Sequence, residues 1–166
     1  MIAVYAGSFS PPTTGHLDII RRASALFDRV VVAVLSQENK AYLFSPEERW
    51  EMLLEITKDL RNVRVVFDTG LLIDVVRRES ADVIVRGLRN ASDLLYEMQV
   101  AEANRQIGGV ETVFISSLPE YSMISSTIVR ECASHGAPIE SMVPGEIAGK
   151  IYAAYGVAPR AERKGF

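Results

Sequence analysis

The chain has 166 residues, of which 48% are hydrophobic and 23% charged, and these proportions exclude a disordered or fibrous protein. The 18 Lys and Arg residues against 21 Asp and Glu residues give a net charge of −3, which excludes an overall basic surface for nucleic acid. We therefore expect no nucleic-acid partner. An anionic substrate would have to be bound by locally placed cations.

Length and apolar patterning predict one domain over residues 1–166, with a loose tail over 157–166. The longest apolar run, residues 30–35, is far shorter than the roughly 20 residues of a membrane-spanning helix. The N-terminus has no signal-peptide pattern, and the single cysteine, Cys132, cannot form an intrachain disulfide. These features predict a soluble cytoplasmic protein with no membrane partner.

Short apolar blocks alternate with longer helical patterns along the chain. The blocks are rich in β-branched and aromatic residues and predict five strands, at residues 2–6, 29–35, 63–67, 82–86 and 111–116. Several of them lack a polar face, as is typical of strands in a parallel sheet that is covered on both sides.

Six helices are predicted from apolar residues at helical spacing, at residues 16–27, 45–60, 71–80, 91–107, 125–134 and 144–156. The second begins with Ser45 as N-cap, Pro46 at the first helical position and Glu48 completing a capping box. The alternation predicts an α/β fold: a Rossmann-like, doubly wound, five-stranded parallel sheet with helices on both faces and C-terminal helices appended.

The segment GSFSPPTTGH, residues 7–16, connects the first predicted strand to the first helix. It lies beyond the carboxyl end of a parallel strand, where ligands bind in such sheets. Thr13 or Thr14 can cap the helix, whose free N–H groups and positive dipole end favour an anion, and His16 adds a donor. Segments of this composition also form simple turns, and a lone histidine is often structural, so these residues alone leave both interpretations open.

Two motifs in sequence order resemble the signatures of the nucleotidyltransferase superfamily. Residues 7–16 are similar to its T/HxGH motif, and ISSTIVR, residues 124–130, resembles its ISSTxxR motif. Neither a GxxxxGK[ST] loop nor a GxGxxG motif after the first strand competes with this interpretation.

Three further details indicate one family within this superfamily. Thr13 stands where several other members have a histidine, and RGLRNASDLLYEMQ, residues 86–99, resembles a block of the phosphopantetheine adenylyltransferases. Lys40 and FSPEER, residues 44–49, are similar to a second block of that family. The resemblance extends from Ile2 to the start of the last predicted helix.

This resemblance implies an enzyme that transfers AMP from ATP to 4′-phosphopantetheine, giving dephospho-coenzyme A and pyrophosphate by direct in-line attack on the α-phosphate. It also implies a Mg²⁺ cofactor, held mainly by the ATP phosphates, and a homohexamer. The attacking phosphate is already an anion, so the chemistry requires alignment and charge stabilisation more than a strong base.

Three residues are assigned to catalysis by the resemblance. His16 binds the α-phosphate and stabilises the transition state, and Lys40 neutralises the acceptor phosphate and the α-phosphate. Arg89 binds the ATP phosphates, and Arg86 binds the phosphate of pantetheine, because a planar guanidinium can hold two oxygens at once. Both arginines are predicted to flank a tight turn, residues 87–88, just after the fourth strand.

The remaining assignments are supporting contacts. The expected ATP-binding residues, besides His16 and Arg89, are Ser8, Phe9, Gly87, Leu88, Glu97, Tyr121, Ser122, Met123, Ile124, Ser125, Ser126 and Thr127. The expected acceptor-binding residues, besides Lys40 and Arg86, are Ser8, Leu72 and Asn104. Serine-rich helix starts, exposed lysines and paired surface arginines also occur without any binding role, so these assignments depend on the motifs.

Some positions depart from the family pattern. Ser10 replaces a usual aspartate, Ala6 a common proline, and Tyr121 a frequent tryptophan. Two alternatives stay open: a nucleotidyltransferase that acts on another phosphorylated acceptor, and a nucleotide-binding regulator that has lost catalysis. The RGLR block argues against the first, and the presence of His16, Lys40 and both arginines argues against the second.

Overall fold

The computed structural model describes residues 1–36 and 41–160. Its strands are β1 (Ile2–Gly7), β2 (Arg29–Leu35), β3 (Val63–Asp68), β4 (Val83–Leu88) and β5 (Glu111–Ser116). They form one parallel sheet in the order β3-β2-β1-β4-β5. The predicted fold class is confirmed.

Helices follow the strands as the sequence predicts. They are α1 (Thr14–Leu26), α2 (Pro46–Thr57), α3 (Leu72–Glu79), α4 (Ala91–Gly108), α5 (Ser126–Ser134) and α6 (Gly145–Ala154), with a 3₁₀ turn at Pro119–Tyr121. The predicted capping box of α2 is present: Ser45 Oγ accepts from Glu48 N at 3.2 Å, and Glu48 Oε2 accepts from Ser45 N at 2.7 Å. No helix in the described ranges is long and apolar enough to cross a membrane.

The sheet is covered on both faces. On one face, Tyr5 and Val32 pack in a large cluster with residues of α1, α2, α5 and α6, including Ile20 and Ile147. On the other, Val4 and Val31 join a smaller cluster with α3. α4 contacts α3, β4 and β5, and therefore lies on this second side.

The predicted end of the fourth strand was wrong. β4 continues through Gly87 to Leu88 because its register with β5 extends to the pair Leu88 and Ser116. Gly87 therefore lies in the strand and not in a turn. A Cβ at this position would lie 3.1 Å from Ile19 Cγ1, so glycine permits the close approach of α1.

The strand order places a topological switch beside β1. The chain passes from β1 outward to β2 and β3, and then crosses to β4 on the other side of β1. Loops that leave the carboxyl ends of β1 and β4 diverge there and open a crevice, which is the usual ligand position in this architecture.

Candidate active site

A polar cavity of about 290 Å³ lies at the carboxyl ends of β1 and β4. The structure brings most of the predicted site residues to its wall, namely Ser8, Phe9, His16, Arg86, Gly87, Arg89, Glu97, Tyr121, Ile124, Ser125 and Ser126. Of the predicted ATP-binding residues, four do not line it: Leu88, Ser122, Met123 and Thr127. Among the large apolar side chains that the structure describes, Met123 is the most exposed.

Lys40 lies outside the described residues. Its predicted contacts with the two phosphates therefore stay predictions. Two nearby residues that the structure describes, Ser36 directly after β2 and Tyr42, line a second cavity.

His16 is oriented by a reciprocal cap at the start of α1. Thr13 is the N-cap: its Oγ1 accepts from His16 N at 3.2 Å, and its own N–H donates to His16 Nδ1 at 3.0 Å. Because Nδ1 accepts this bond, a neutral imidazole carries its proton on Nε2. The cap thus leaves an N–H donor on the side of the ring away from the backbone.

The surroundings of His16 keep it uncharged. Burial is the main cause, and the nearby Arg89 and Arg86 add to it; together they lower the pKa of His16 from 6.5 to about 4. The ring also packs edge-on against Phe9, with centroids 5.1 Å apart. At neutral pH, His16 can therefore act as a donor to an anion but contributes no full positive charge.

Arg86 is held in place by the carboxylate of Glu97, a residue that the family resemblance places among the ATP-binding residues. Its Nε and Nη2 donate to Glu97 Oε2 and Oε1, both at 2.7 Å, and its Nη1 donates to the Ala6 carbonyl at 2.6 Å. Burial is the largest single effect and lowers the pKa of Arg86, but the hydrogen bonds to Glu97 and the charge of Glu97, with smaller contributions from Tyr5 and Tyr96, together outweigh it, and the net shift is upward. Glu97 is itself buried, and both of its carboxylate oxygens accept from Arg86, so its predicted contact with the nucleotide stays a prediction.

Arg89 has a similar partner on the first turn of α4. Its Nε and Nη2 donate to Asp93 Oδ2 at 2.8 Å and to Asp93 Oδ1 at 3.1 Å. This pairing raises the pKa of Arg89 and lowers that of Asp93. Sequence reasoning missed Asp93 as a site residue, although it stands inside the quoted RGLR block, four residues after Arg89.

The ISST segment is fastened to the loop that follows β1. Ser126 Oγ donates to the Pro11 carbonyl at 2.8 Å, and Ser125 Oγ accepts from Ile128 N at 3.2 Å as the N-cap of α5. The Ser126 hydroxyl thus donates within the chain, whereas the Ser125 hydroxyl only accepts and keeps its own O–H as a donor. This O–H and the free N–H groups at the start of α5 are donors that an anion could use.

A second cavity, of about 430 Å³, adjoins the first and has more apolar walls. Leu72 and Asn104, which the family resemblance assigns to the acceptor, both line it. Within the described ranges, the buried Asn104 Nδ2 has no hydrogen-bond partner. Four residues belong to the walls of both cavities: Ala6, Gly7, Ser8 and Arg86.

Comparison with known proteins identifies the family of this chain. A family described as Cytidylyltransferase-like matches residues 4–132. A protein from Moorella thermoacetica named phosphopantetheine adenylyltransferase is 48% identical over 156 residues, covering 93% of this chain and 98% of the relative. The chain belongs to the phosphopantetheine adenylyltransferase family.

Two further relatives with the same name support this membership. The protein from Nocardioides sp. is 46% identical over 91% of this chain and 95% of its own length. The protein from Deinococcus radiodurans is 50% identical over 87% of both chains. The alignments with these phosphopantetheine adenylyltransferases cover most of this chain.

A solved structure supports the fold alone. The crystal structure of a putative nicotinate-nucleotide adenylyltransferase from Vibrio parahaemolyticus aligns with a TM-score of 0.63 over 90% of this chain and 97% of that one, at 18% identity. The phosphopantetheine adenylyltransferase fold of this chain is thus also found in a protein of low sequence identity.

Proposed function

We propose that this chain transfers AMP from ATP to 4′-phosphopantetheine and releases pyrophosphate. One observation carries the proposal beyond family membership: a polar and a more apolar cavity meet at Ser8 and Arg86. ATP, with its charged triphosphate, suits the polar cavity, and the long pantetheine arm suits the apolar one. Their phosphates would meet at the shared wall, which is where the new bond has to form.

The reaction is a displacement at the α-phosphorus. An oxygen of the acceptor phosphate forms a bond to phosphorus, the bond from phosphorus to the bridging oxygen breaks, and pyrophosphate leaves with that electron pair. Since the nucleophile is already an anion, no residue has to remove a proton from it. The enzyme contributes by aligning the reactants and by stabilising the charge that develops on the transferred group.

In this mechanism each described residue has a defined task. His16 Nε2 donates to the α-phosphate as a neutral group, and Ser8 donates through its hydroxyl. Arg86 binds the acceptor phosphate from the shared wall, and Arg89 binds the ATP phosphates. Both arginines still have N–H groups that their carboxylate partners do not occupy. Lys40 would add a cation to the same reaction centre.

We also propose that Mg²⁺ takes part as a complex with ATP, because phosphate oxygens are the hard ligands that this ion prefers. The carboxylates that line the polar cavity, Asp93 and Glu97, are each bound to an arginine. In the described part of the chain, no group of three or more His, Cys, Asp and Glu residues is placed to hold a metal. The ion would neutralise charge on the leaving pyrophosphate.

Self-association into a homohexamer is part of the proposal. α4 presents a row of exposed apolar side chains, with exposed fractions of 68% for Leu95, 63% for Tyr96 and 54% for Met98. Exposed apolar surface of this extent is typical of an interface between proteins. Light scattering during size-exclusion chromatography measures the mass directly, and a particle of one chain mass would contradict the assembly.

A reaction that consumes ATP also fits the cytoplasm, which we propose as the location of this protein.

Pyrophosphate release from ATP tests the acceptor. We expect turnover with 4′-phosphopantetheine and none with nicotinamide mononucleotide or FMN, each offered separately at the same concentration. Turnover with only one of the latter two would contradict the assigned acceptor and leave the transfer chemistry in place. ATP binding without turnover on any acceptor would support the regulatory alternative.

A further inference from the structure

A fully buried arginine on α2, Arg49, hydrogen-bonds to the loop that follows β1. The side chain of Arg49 is 0% exposed. Its Nη1 donates to the Ser8 carbonyl at 2.7 Å, its Nη2 to Ser36 Oγ at 2.6 Å, and its Nε to the Ser45 carbonyl at 3.2 Å. One guanidinium therefore joins the end of β2, the start of α2 and the loop after β1.

The bond to Ser8 fixes the orientation of one peptide group. In a trans peptide, the C=O and the following N–H point in opposite directions. With the Ser8 carbonyl turned toward Arg49, the N–H of Phe9 points away from Arg49, and both Ser8 and Phe9 line the polar cavity. Within residues 1–36 and 41–160, this N–H has no main-chain acceptor.

The backbone at Phe9 needs external support. Its φ of 46° lies in the left-handed region, which is costly for a bulky residue by about 1–3 kcal/mol. A second guanidinium acts on the far side of this residue, because Arg130 Nη1 donates to the Ser10 carbonyl. The carbonyl groups of Ser8 and Ser10, the residues on either side of Phe9, thus each accept a hydrogen bond from an arginine. Backbone in such a conformation can present N–H groups to an anion.

We propose that Arg49 is a positioning residue for the transfer reaction: it holds the Ser8–Phe9 peptide so that the Phe9 N–H donates to the bound phosphates. Arg49 lines neither cavity and so acts only through the loop. Its three donors serve three separate acceptors, a geometry that the single ammonium of lysine cannot reproduce. The inference rests on the proposed function for its kinetic readout, but anion binding by the loop is measurable without any acceptor.

The test compares Arg49→Met with the wild type and with Arg29→Met. Arg29 is a matched control, since its Nη2 also donates to a main-chain carbonyl, that of Glu79, at 3.0 Å, and Arg29 begins β2 at the edge of the sheet opposite the cavities. For each protein, kcat and KM for ATP are measured well below its Tm, and calorimetry measures the affinity for inorganic pyrophosphate. We expect Arg49→Met to lose about 10²-fold in kcat/KM for ATP, because the donor is misplaced.

We also expect Arg49→Met to bind pyrophosphate more weakly than the wild type, and Arg29→Met to match the wild type in both measurements. Wild-type kcat/KM and pyrophosphate affinity in folded Arg49→Met would overturn the proposal, as would equal losses in Arg29→Met. If Arg49→Met does not fold, the same measurements are made on Arg49→Lys: reduced kcat/KM for ATP and reduced pyrophosphate affinity support the role, and wild-type values overturn it.

Failure of the proposed function can be distinguished from failure of this inference. A wild type that binds pyrophosphate but transfers AMP to no acceptor contradicts only the proposed function, and the pyrophosphate titrations still decide the role of Arg49.

Discussion

The uncharged state of His16 leads to a prediction about stability and pH. The pKa of His16 is about 4 in the folded chain against an ordinary 6.5. Between pH 6.5 and pH 4 the imidazole of His16 is mostly protonated in the unfolded chain and mostly neutral in the folded chain. The free energy of unfolding therefore falls as the pH is lowered from 7 to 4. The difference in pKa corresponds to about 3 kcal/mol, and this contribution is nearly complete at pH 7 and constant above about pH 8.

The matched variant is His16→Gln. Glutamine at the third helical position can complete a capping box with Thr13, so the start of α1 keeps its reciprocal bonds while the titrating group is removed. We expect the wild type to lose about 3 kcal/mol more than His16→Gln between pH 7 and pH 4. Urea denaturation at a series of pH values and one protein concentration measures both curves.

Proton NMR gives an independent reading of the same group. The chain has two histidines, so the imidazole signal that is absent from His16→Gln belongs to His16. We expect that signal to titrate with a midpoint near pH 4 in the absence of ligand. A midpoint near 6.5, or parallel stability curves for the two proteins, would refute the reasoning, because the ring would then be solvated and able to bind phosphate as a cation.

Three further predictions concern the site. His16→Ala should lower kcat by about 10²–10³-fold, the effect of one lost transition-state donor, and near-normal turnover in steady-state assays would remove His16 from this role. Arg86→Met should raise KM for phosphopantetheine more than KM for ATP and lower the Tm, because Glu97 stays buried without its partner; an effect on ATP alone would reverse the assignments of the two arginines. Asn104→Leu should raise KM for phosphopantetheine and leave KM for ATP unchanged, and an unchanged KM for phosphopantetheine would exclude a contact with the pantetheine amides.

Periodicity in the sequence was sufficient to predict the sheet and the helices. The buried blocks around Val31 and Ile84 contain no polar face, and the helices carry their caps in the local sequence, as Ser45 and Glu48 show. The end of β4 was predicted too early because glycine is usually a strand breaker. Pairing with β5 and the close approach of Ile19 determine that boundary, and both are contacts between distant parts of the chain.

The position of the site was predictable for a similar reason. Parallel strands end at one edge of the sheet, so segments that follow β1 and β4 had to meet there. The hydrogen-bond partners were not predictable, because they depend on side-chain packing. The sequence did not show that Glu97 binds Arg86, 11 residues away. Arg49 was quoted only as the last residue of the FSPEER block, and nothing in the sequence showed that it binds the Ser8 carbonyl, 41 residues away.

These partners also explain how a chain with a net charge of −3 can bind two polyanions. In the polar cavity Arg86 and Arg89 are each paired with a carboxylate and His16 is neutral, so the described walls carry little net charge. In the proposed mechanism, attraction to phosphate depends on N–H groups that the chain holds in place before binding: His16 Nε2, the free N–H groups of the guanidinium groups and the amides of the loop. Removing a positioning partner should thus weaken binding even where no positive charge is lost, and Glu97→Gln, which raises the net charge of the wall, should still weaken binding because it loosens Arg86.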